Sequence, residues 1–465
     1  MTPHAPDAPW QRLHPLSPVV RLGRVVVPLL VLVAVSSPRG GGSDASLVVE
    51  DVALVVVAVV VGVVQWLVTR WRIEGATLRI ETGLLRRDSR QLPVARIQAV
   101  DVIRPFAARV LGLAELRIRL AGSGAAKGRL AYLAEPVAQD LRARLLAAHH
   151  GLDMATPEPP ELPITAVPAG RLVGSVVLSA PTLVSVALAV AVVAAASVSR
   201  AVAVGLGGAL VAYLIGRARM AWRRVAEQYG FTVGHAPDGI RIRRGLLSTV
   251  AETIPVRRVQ AVRRIEPLLW RPLGWCRLEV ELAGSAGGDQ GTRAGTVTRA
   301  LLPVGFDAEA RVLTRGILGI EGVPLSPPPP RARLKAPFSY HFLGAGHGQD
   351  VAVGVTGRVC KVTCWVPLDK IQSVRRVQGP LQRRLGLATV HVDAAGRRVR
   401  AQFRDRSATE ASRLLEELAG QARRARRARP ESLDFGAGRG APPPPGAALH
   451  GTGPERARRG LDPQD

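Results

Sequence analysis

Side chains that could perform chemistry are sparse in this chain of 465 residues. Its nine histidines show no metal-ligand spacing, and three cysteines are too few for a disulfide framework. The glycine-rich run 344–348, "GAGHG", lacks the Gly-Lys-Ser/Thr ending of a phosphate loop. We therefore expect no catalytic site, no metal and no cofactor, and a protein that is not an enzyme.

One charged residue type recurs at a fixed place in three copies of a longer motif, as Arg109, Arg271 and Arg383. A structural interpretation is an ion pair, or an aliphatic stem packed over the end of a barrel. A functional interpretation is contact with an anion or an acidic lipid, where each basic residue contributes on the order of 1 kcal/mol. Three more basic residues near glycine-rich loops are candidates for the same head group: Lys127, Arg129 and Arg293.

The motif itself reads "PVARIQAV", then "PVRRVQAV", then "PLDKIQSV". Its copies align without a gap over residues 93–122, 255–284 and 367–396, and the first two share 15 of 30 residues. Since Pro and Gly set turns and a buried-side Gln can satisfy strand-end backbone groups, we interpret the motif as a folding signature. Its defining residues are Pro93, Gln98, Gly112, Pro255, Gln260, Gly274, Pro367, Gln372 and Gly386.

The repeat sets the predicted architecture, because each copy lies within a block of alternating strands that ends in an amphipathic helix. The blocks are residues 72–150, 222–320 and 331–421. In the last, Ser407 and Glu410 form a capping box for the helix. The predicted fold class is α+β, with each block a sandwich or partly open barrel.

Two pairs of apolar stretches predict four transmembrane helices in two hairpins. They cover about 19–35 and 52–68 within the N-terminal segment 1–71, and about 172–198 and 201–215 within the connecting segment 151–221. The alternative for each is a buried core helix or strand. No charged residue lies in the last three, so they are expected to anchor the chain rather than transport ions.

Arginines flank both hairpins on the side of the large blocks, which predicts that both termini and all soluble parts lie in the cytoplasm. The net charge of +27 comes almost wholly from arginine, in a composition typical of GC-rich bacterial genomes. We expect a bacterial inner-membrane location. The scarcity of aromatic residues and the membrane spans argue against a nucleic-acid partner.

Two segments predict connections without a core of their own. The run "SPPPPR", residues 326–331, predicts a stiff linker between the second and third blocks, which covers residues 321–330. Residues 422–465 are first basic and then rich in Pro and Gly, which is typical of a disordered tail.

The strand motif, the following Leu-Gly turn, the closing helix and the hairpins together resemble the bacterial PH-like domain family, formerly DUF304, and in particular its multi-copy membrane members of the YdbT type. The resemblance covers roughly residues 10–420. It implies three pleckstrin-homology-like split β-barrels, each capped by a C-terminal helix. It implies neither an established activity nor a residue-level binding site. The third copy departs at 378–380, "QGP", so its ligand properties could differ.

The expected function is binding or scaffolding by three cytoplasmic PH-like domains on a polytopic membrane protein. The predicted partners are the bilayer, an anionic lipid head group, and a protein partner or a second copy of the chain. A role in envelope stress rests on the family analogy. The alternative is a small transporter or an accessory subunit of a transport complex, whose cavity could be lined by Ser175, Ser179, Thr182 and Ser185.

Overall fold

The computed structural model describes residues 9–20, 23, 45–75, 77–83, 87–120, 128–149, 161–197, 199–236, 239–283, 296–320, 322–395 and 400–428. Three successive units share one plan. Each has a first antiparallel sheet, a short 3-10 turn at the repeated proline, a second sheet of three strands, and a closing helix.

The first unit begins before its helical insertion and ends with a helix. Its first sheet contains β1 (Gln11–Arg12), β2 (Arg70–Glu74), β3 (Thr77–Thr82) and β4 (Asp88–Pro93). Its second sheet contains β5 (Ile97–Arg104), β6 (Leu113–Leu120) and β7 (Gly128–Ala134). Its helices are α1 (Ala45–Val68), α2 (Phe106–Val110) and the closing α3 (Glu135–His149).

The second unit repeats this order. Its first sheet contains β8 (Leu162–Ala166), β9 (Thr232–Ala236), β10 (Gly239–Arg244) and β11 (Thr249–Ile254). Its second contains β12 (Val259–Pro267), β13 (Trp275–Ala283) and β14 (Thr296–Phe306). Its helices are α4 (Ala169–Val177), α5 (Ala180–Ala196), α6 (Arg200–Gln228) and the closing α7 (Asp307–Leu318).

The third unit comes after a short helix, α8 (Ala332–Lys335). Its first sheet contains β15 (Gly344–His347), β16 (Val351–Thr356) and β17 (Cys360–Pro367). Its second contains β18 (Ile371–Val377), β19 (Leu387–Ala394) and β20 (Arg400–Ser407). The helix α9 (Pro380–Arg384) lies between β18 and β19, and α10 (Ala408–Ala428) closes the unit.

Successive units are joined edge to edge. β5 pairs antiparallel with β11, which creates a seven-stranded sheet, and β12 pairs antiparallel with β17, which creates a six-stranded sheet. Val102 lies opposite Ala251, and Arg264 lies opposite Thr363. In both junctions the residue nine positions after a repeated proline faces the residue four positions before the next one. The two junctions therefore have the same register.

The repeated residues have the same backbone roles in each unit. Each proline precedes a 3-10 turn, and the next strand has a register shift at the repeated glutamine, which is the position of a β-bulge. Gly112, Gly274 and Gly386 have φ of 65°, 64° and 65°. This left-handed conformation favours glycine, which explains why the residue recurs there.

Each unit buries an apolar core between its two sheets and its closing helix. The repeated valines Val100 and Val262 are fully buried. The predicted cap of α10 is present, since the Ser407 hydroxyl accepts a hydrogen bond from the Glu410 amide at 3.1 Å. The family-implied plan of sheets closed by a helix is thus seen three times.

The helical segments differ from the predicted spans. Residues 24–44 lie outside the described part, and with them most of the predicted span 19–35; the span 52–68 lies within α1. Among the described helices, none is both long and apolar enough to cross a membrane alone, whereas α4 and α5 together meet that test with a bend of 49°. The four transmembrane helices therefore stay a prediction.

The predicted span 172–198 is interrupted because its first part packs against the second unit. Leu172 belongs to the core of that unit, and the indole nitrogen of Trp270 donates to the Leu178 carbonyl at 3.0 Å. The break at Leu178 and Ser179 leaves α5 as the exposed apolar part. The predicted span 201–215 lies within α6, which continues into the second unit as far as Gln228.

Two strands precede the helices that interrupt their sheets. β1 pairs with β2 across residues 13–69, and β8 pairs with β9 across residues 167–231. Alternation of apolar and polar residues did not mark β1 or β8, because each is short and separated from the rest of its sheet. The third unit has only an isolated bridge, Ser326 with Ala345, at the equivalent edge.

The proline-rich segment and the start of the tail are packed rather than free. Arg406, almost fully buried, donates to the carbonyls of Ser326 at 2.5 Å and Pro327 at 2.9 Å. α10 extends to Ala428 because Ala422 is buried and Arg426 donates to the Ile371 carbonyl at 2.6 Å. Residues 429–465, the rest of the predicted disordered tail, lie outside the described residues.

Candidate functional site

Two of the three repeated arginines form hydrogen bonds across the junctions between units. In α2, Arg109 Nη1 donates to the Leu246 carbonyl at 3.0 Å, and Arg271 Nη2 donates to the Arg358 carbonyl at 2.6 Å. Leu246 and Arg358 both lie nine residues before a repeated proline, in the turn between the last two strands of the next unit's first sheet. Each arginine thus contacts the same backbone position of the next unit along the chain.

Arg383 is the exception, because no further unit follows the third within the described residues. It lies in α9 with an exposed side chain. Within the described residues, its side chain has no hydrogen bond or ion pair. The same residue type therefore has a structural role at two positions and an available guanidinium at the third.

Arg129 forms part of an ion cluster within the second sheet of the first unit. Its guanidinium contacts the buried Glu115 carboxylate at 2.7 Å, and Arg117 contacts the same carboxylate at 2.7 Å. Burial opposes the charge of Glu115, but hydrogen bonds from Arg129 and Arg117 outweigh it and lower the Glu115 pKa. Lys127 and Arg293, the other two loop candidates, lie outside the described residues.

The repeated glutamines lie in different environments. Gln260 is buried, and its Nε2 makes a long contact of 3.5 Å with the Arg258 carbonyl. Gln372 is exposed. The side chain of Gln98 is outside the described part of the structure. The glutamine marks the bulge in every unit, whereas its burial depends on whether another strand lies beside it.

A groove of about 820 Å³ opens between α7, residues 320–327 and the first sheet of the third unit. Its apolar lining includes Val312, Val323, Phe342, Val355 and Trp365. Sequence reasoning missed this groove because its walls come from segments of two units. No local pattern in either segment signals the other.

The charged lining of the groove is cationic. Among the described residues, Arg264, Arg311, Arg315 and Lys361 line it without an Asp or Glu; Glu321, between the lining residues Ile320 and Gly322, lies outside the described part. Two carboxylates lie behind them: Glu266 contacts Arg264 at 2.8 Å and Lys361 at 3.6 Å, and Asp307 contacts Arg264 and Arg311. Three of these cations, Arg264, Arg311 and Lys361, therefore share two anions, so the described part of the groove carries more positive than negative charge. An apolar lining with this charge suits an anionic amphiphile.

Two of the three cysteines are buried, and the described residues show no metal-binding cluster. Burial raises the pKa of the Cys276 and Cys364 thiols to about 12, so neither is a thiolate at neutral pH. Groups of His, Cys, Asp and Glu that could hold a metal ion do not occur within the described part of the chain.

Comparison with protein families matches the repeated units to one family description, "Bacterial PH domain", at residues 22–149, 169–305 and 332–422. The chain belongs to the bacterial PH domain family. The three matches confirm the resemblance and the threefold repeat. No curated protein and no solved structure matches the chain.

The first two PH matches include the helices that are inserted in their units. The first two cover α1 and α4 to α6, whereas the third covers a unit without inserted helices. Repeated bacterial PH domains suggest a binding or scaffolding role.

Proposed function

We propose that this protein is a membrane-anchored scaffold of three PH units that binds an anionic lipid in the groove between its second and third units. The observation that carries the proposal is the composition of that groove, whose described lining combines apolar side chains with four basic side chains and no carboxylate. An acyl chain would contact the apolar residues while the phosphate of the head group lies near the guanidinium groups.

Membrane anchoring by the inserted helices is part of this proposal. Apolar side chains are exposed along α5, including Leu183, Val186, Val190 and Val193. Such a surface is costly in water and favourable in lipid. The arginine distribution favours a bacterial inner membrane with all three units and both termini in the cytoplasm. A place in envelope stress remains a family analogy.

The protein would act by binding rather than catalysis, and the alternative of a transporter has less support. A transport path requires polar side chains that face a cavity. The Ser175 and Ser185 hydroxyls instead donate to the carbonyls of Leu172 and Pro181 in their own helices, and Thr182 donates to the Val176 carbonyl at 2.8 Å. These hydroxyls already have backbone acceptors.

The test is lipid binding by the full chain in a neutral detergent, measured by native mass spectrometry. We expect phosphatidylglycerol to bind several-fold more tightly than phosphatidylcholine. Arg311→Gln should weaken phosphatidylglycerol binding about fivefold, since one basic contact contributes on the order of 1 kcal/mol. Equal binding of both lipids would contradict the proposal.

A matched control is available on another closing helix. Arg311 contacts Asp307 four residues earlier, and Arg144 of α3 contacts Asp140 with the same spacing. Arg144 does not line the groove. Arg144→Gln should leave phosphatidylglycerol binding unchanged, whereas an equal loss in both variants would attribute the effect to overall charge.

A further inference from the structure

The first and third units each have an edge strand whose equivalents in the other units are paired across a junction. β4 is the first-unit equivalent of β11 and β17, and β18 is the third-unit equivalent of β5 and β12. Within the described residues, β4 pairs only with β3 and β18 only with β19. Each end therefore presents half of a junction that the chain forms twice internally.

The sequence of β18 is compatible with such a junction. β12 contains "QAVRRI" and β18 contains "QSVRRV" at equivalent positions. In β12, Arg263 and Arg264 are accommodated by ion pairs within the second unit while the strand pairs with β17. The two arginines of β18 therefore do not prevent pairing. Arg375 already contacts Asp393 at 2.9 Å, which neutralises one of them.

The opposite edge has a matching strand, preceded by a matching glycine. Residues 88–91 of β4 are exposed, and Asp88 contacts Arg90 at 2.7 Å. The glycine of the preceding turn has φ of 101° at Gly83, 114° at Gly245 and 96° at Gly357. The first unit thus has the same turn geometry at the glycine as the two turns that accept an arginine from the preceding unit.

We propose that β18 of one copy pairs antiparallel with β4 of a second copy, so that the protein assembles head to tail. The internal register then places Arg376 opposite Ser89 and Val377 opposite Asp88. A contact between different surfaces closes into a ring or continues as a filament.

This inference goes beyond lipid binding and does not depend on it. Extension of a sheet by a further strand supplies main-chain hydrogen bonds, and the side chains of neighbouring strands set the specificity. We choose a second copy of this chain as the partner because both described junctions join the same two kinds of strand. β5 pairs with β11 and β12 pairs with β17, in one register.

The decisive experiment is cysteine cross-linking of the full chain in detergent, on a Cys360→Ser background that removes the exposed thiol. Ser89→Cys and Arg376→Cys are made as separate proteins. Both positions are exposed, so folding should be retained. We expect a short bismaleimide to yield dimers only when the two variants are mixed. Either variant alone should stay uncross-linked, because the interface joins unlike surfaces.

Mass photometry across protein concentrations supplies the second measurement. The native chain should show masses at multiples of the monomer. Ser89→Arg, which places a like charge opposite Arg376, should reduce association at least tenfold, and Ser89→Glu should increase it.

A monomer at every concentration together with no mixed cross-link would overturn the proposal. Cross-linking of either variant with itself, or oligomers unaffected by Ser89→Arg, would also overturn it by indicating a different interface. None of these measurements involves lipid, so failure here is distinguishable from failure of the lipid proposal.

Discussion

Strands β12 and β18 have nearly the same sequence and opposite environments. Ala261 of β12 is fully buried against the third unit, whereas the equivalent Ser373 of β18 is exposed. Gln260 and Gln372 differ in the same way. The difference arises because β12 pairs with β17 of the next unit, whereas β18 pairs only with β19 among the described strands. Burial of these positions is therefore set by whether a neighbouring unit pairs with the strand rather than by the sequence of the strand.

The largest expected effect comes from placing a charge on each of these two strands. Ala261→Arg should destabilise the β12–β17 junction by about 4 kcal/mol, because an unpaired charge would be buried. Ser373→Arg should change the stability by less than about 0.5 kcal/mol, as for an ordinary surface position. Hydrogen–deuterium exchange of the β12, β17 and β18 amides would measure both. Similar protection in the two variants would remove the contrast.

The next effect concerns carboxylates on the strands beside β5 and β18. Glu115→Gln should lower the free energy of unfolding by about 2 kcal/mol, because the buried carboxylate accepts two charge-assisted hydrogen bonds. Asp393 forms ion pairs with Arg375 and Arg400 beside the edge strand β18. Asp393→Asn should lower the free energy of unfolding by about 0.5 kcal/mol. Denaturant unfolding of each variant at neutral pH would test this order. Equal losses would mean that the cluster at Glu115 gains nothing from burial.

The pH dependence of Glu115 is a consequence of its lowered pKa. The ordinary value is 4.5, and the folded value lies below it. The stability that Glu115 contributes is therefore present above pH 4.5 and is lost as the pH falls through the folded pKa. The difference in unfolding free energy between the native chain and Glu115→Gln should shrink over that acidic range. A difference that grew towards low pH would reverse the assignment.

A smaller effect is expected from the repeated arginine. Arg271→Ala should weaken the second junction by about 1 kcal/mol, since the partly exposed guanidinium loses its hydrogen bond to the Arg358 carbonyl. At protein concentrations where the chain is monomeric, Arg383→Ala should leave stability unchanged. Exchange rates in the turn at 357–359 would report the difference. Loss of stability in monomeric Arg383→Ala would show a partner within its own unit.

The smallest difference in stability should be between substitutions of two glycines that have the same backbone role within their own units. Gly274→Ala and Gly386→Ala should each cost about 1 kcal/mol, because both have φ near 65°. Their equality would show that the interior and end units differ only at their junctions. Thermal unfolding of both variants suffices, and a gap larger than their common cost would indicate a further constraint on one turn.

The threefold unit could be predicted from sequence because its markers are local. Proline, glutamine and glycine recur at turns and bulges that each occupy a few residues, and the family comparison confirms the units. The junctions could not be predicted in this way. The acceptors of Arg109 and Arg271 lie 137 and 87 residues further along the chain, and are backbone carbonyls whose residue types, Leu246 and Arg358, carry no signal.

The helical segments show a second reason for the limits of prediction. Apolar length alone predicted one span over 172–198, but Leu172 is used by the core of the second unit and the helix breaks after Val177. A hydropathy pattern does not distinguish burial in lipid from burial against protein. The groove has a similar limit, since Val312 and Trp365 come together only after the second junction forms.

The placement of the helices between neighbouring strands has a consequence for topology. β1 and β2 lie side by side, as do β8 and β9, and paired strands are about 4.8 Å apart. An excursion that leaves one strand and returns to its neighbour must cross a bilayer an even number of times, whatever its length. Under the membrane anchoring proposed above, the three units would share one face of the membrane by parity alone, and the flanking arginines would need only to select which face that is.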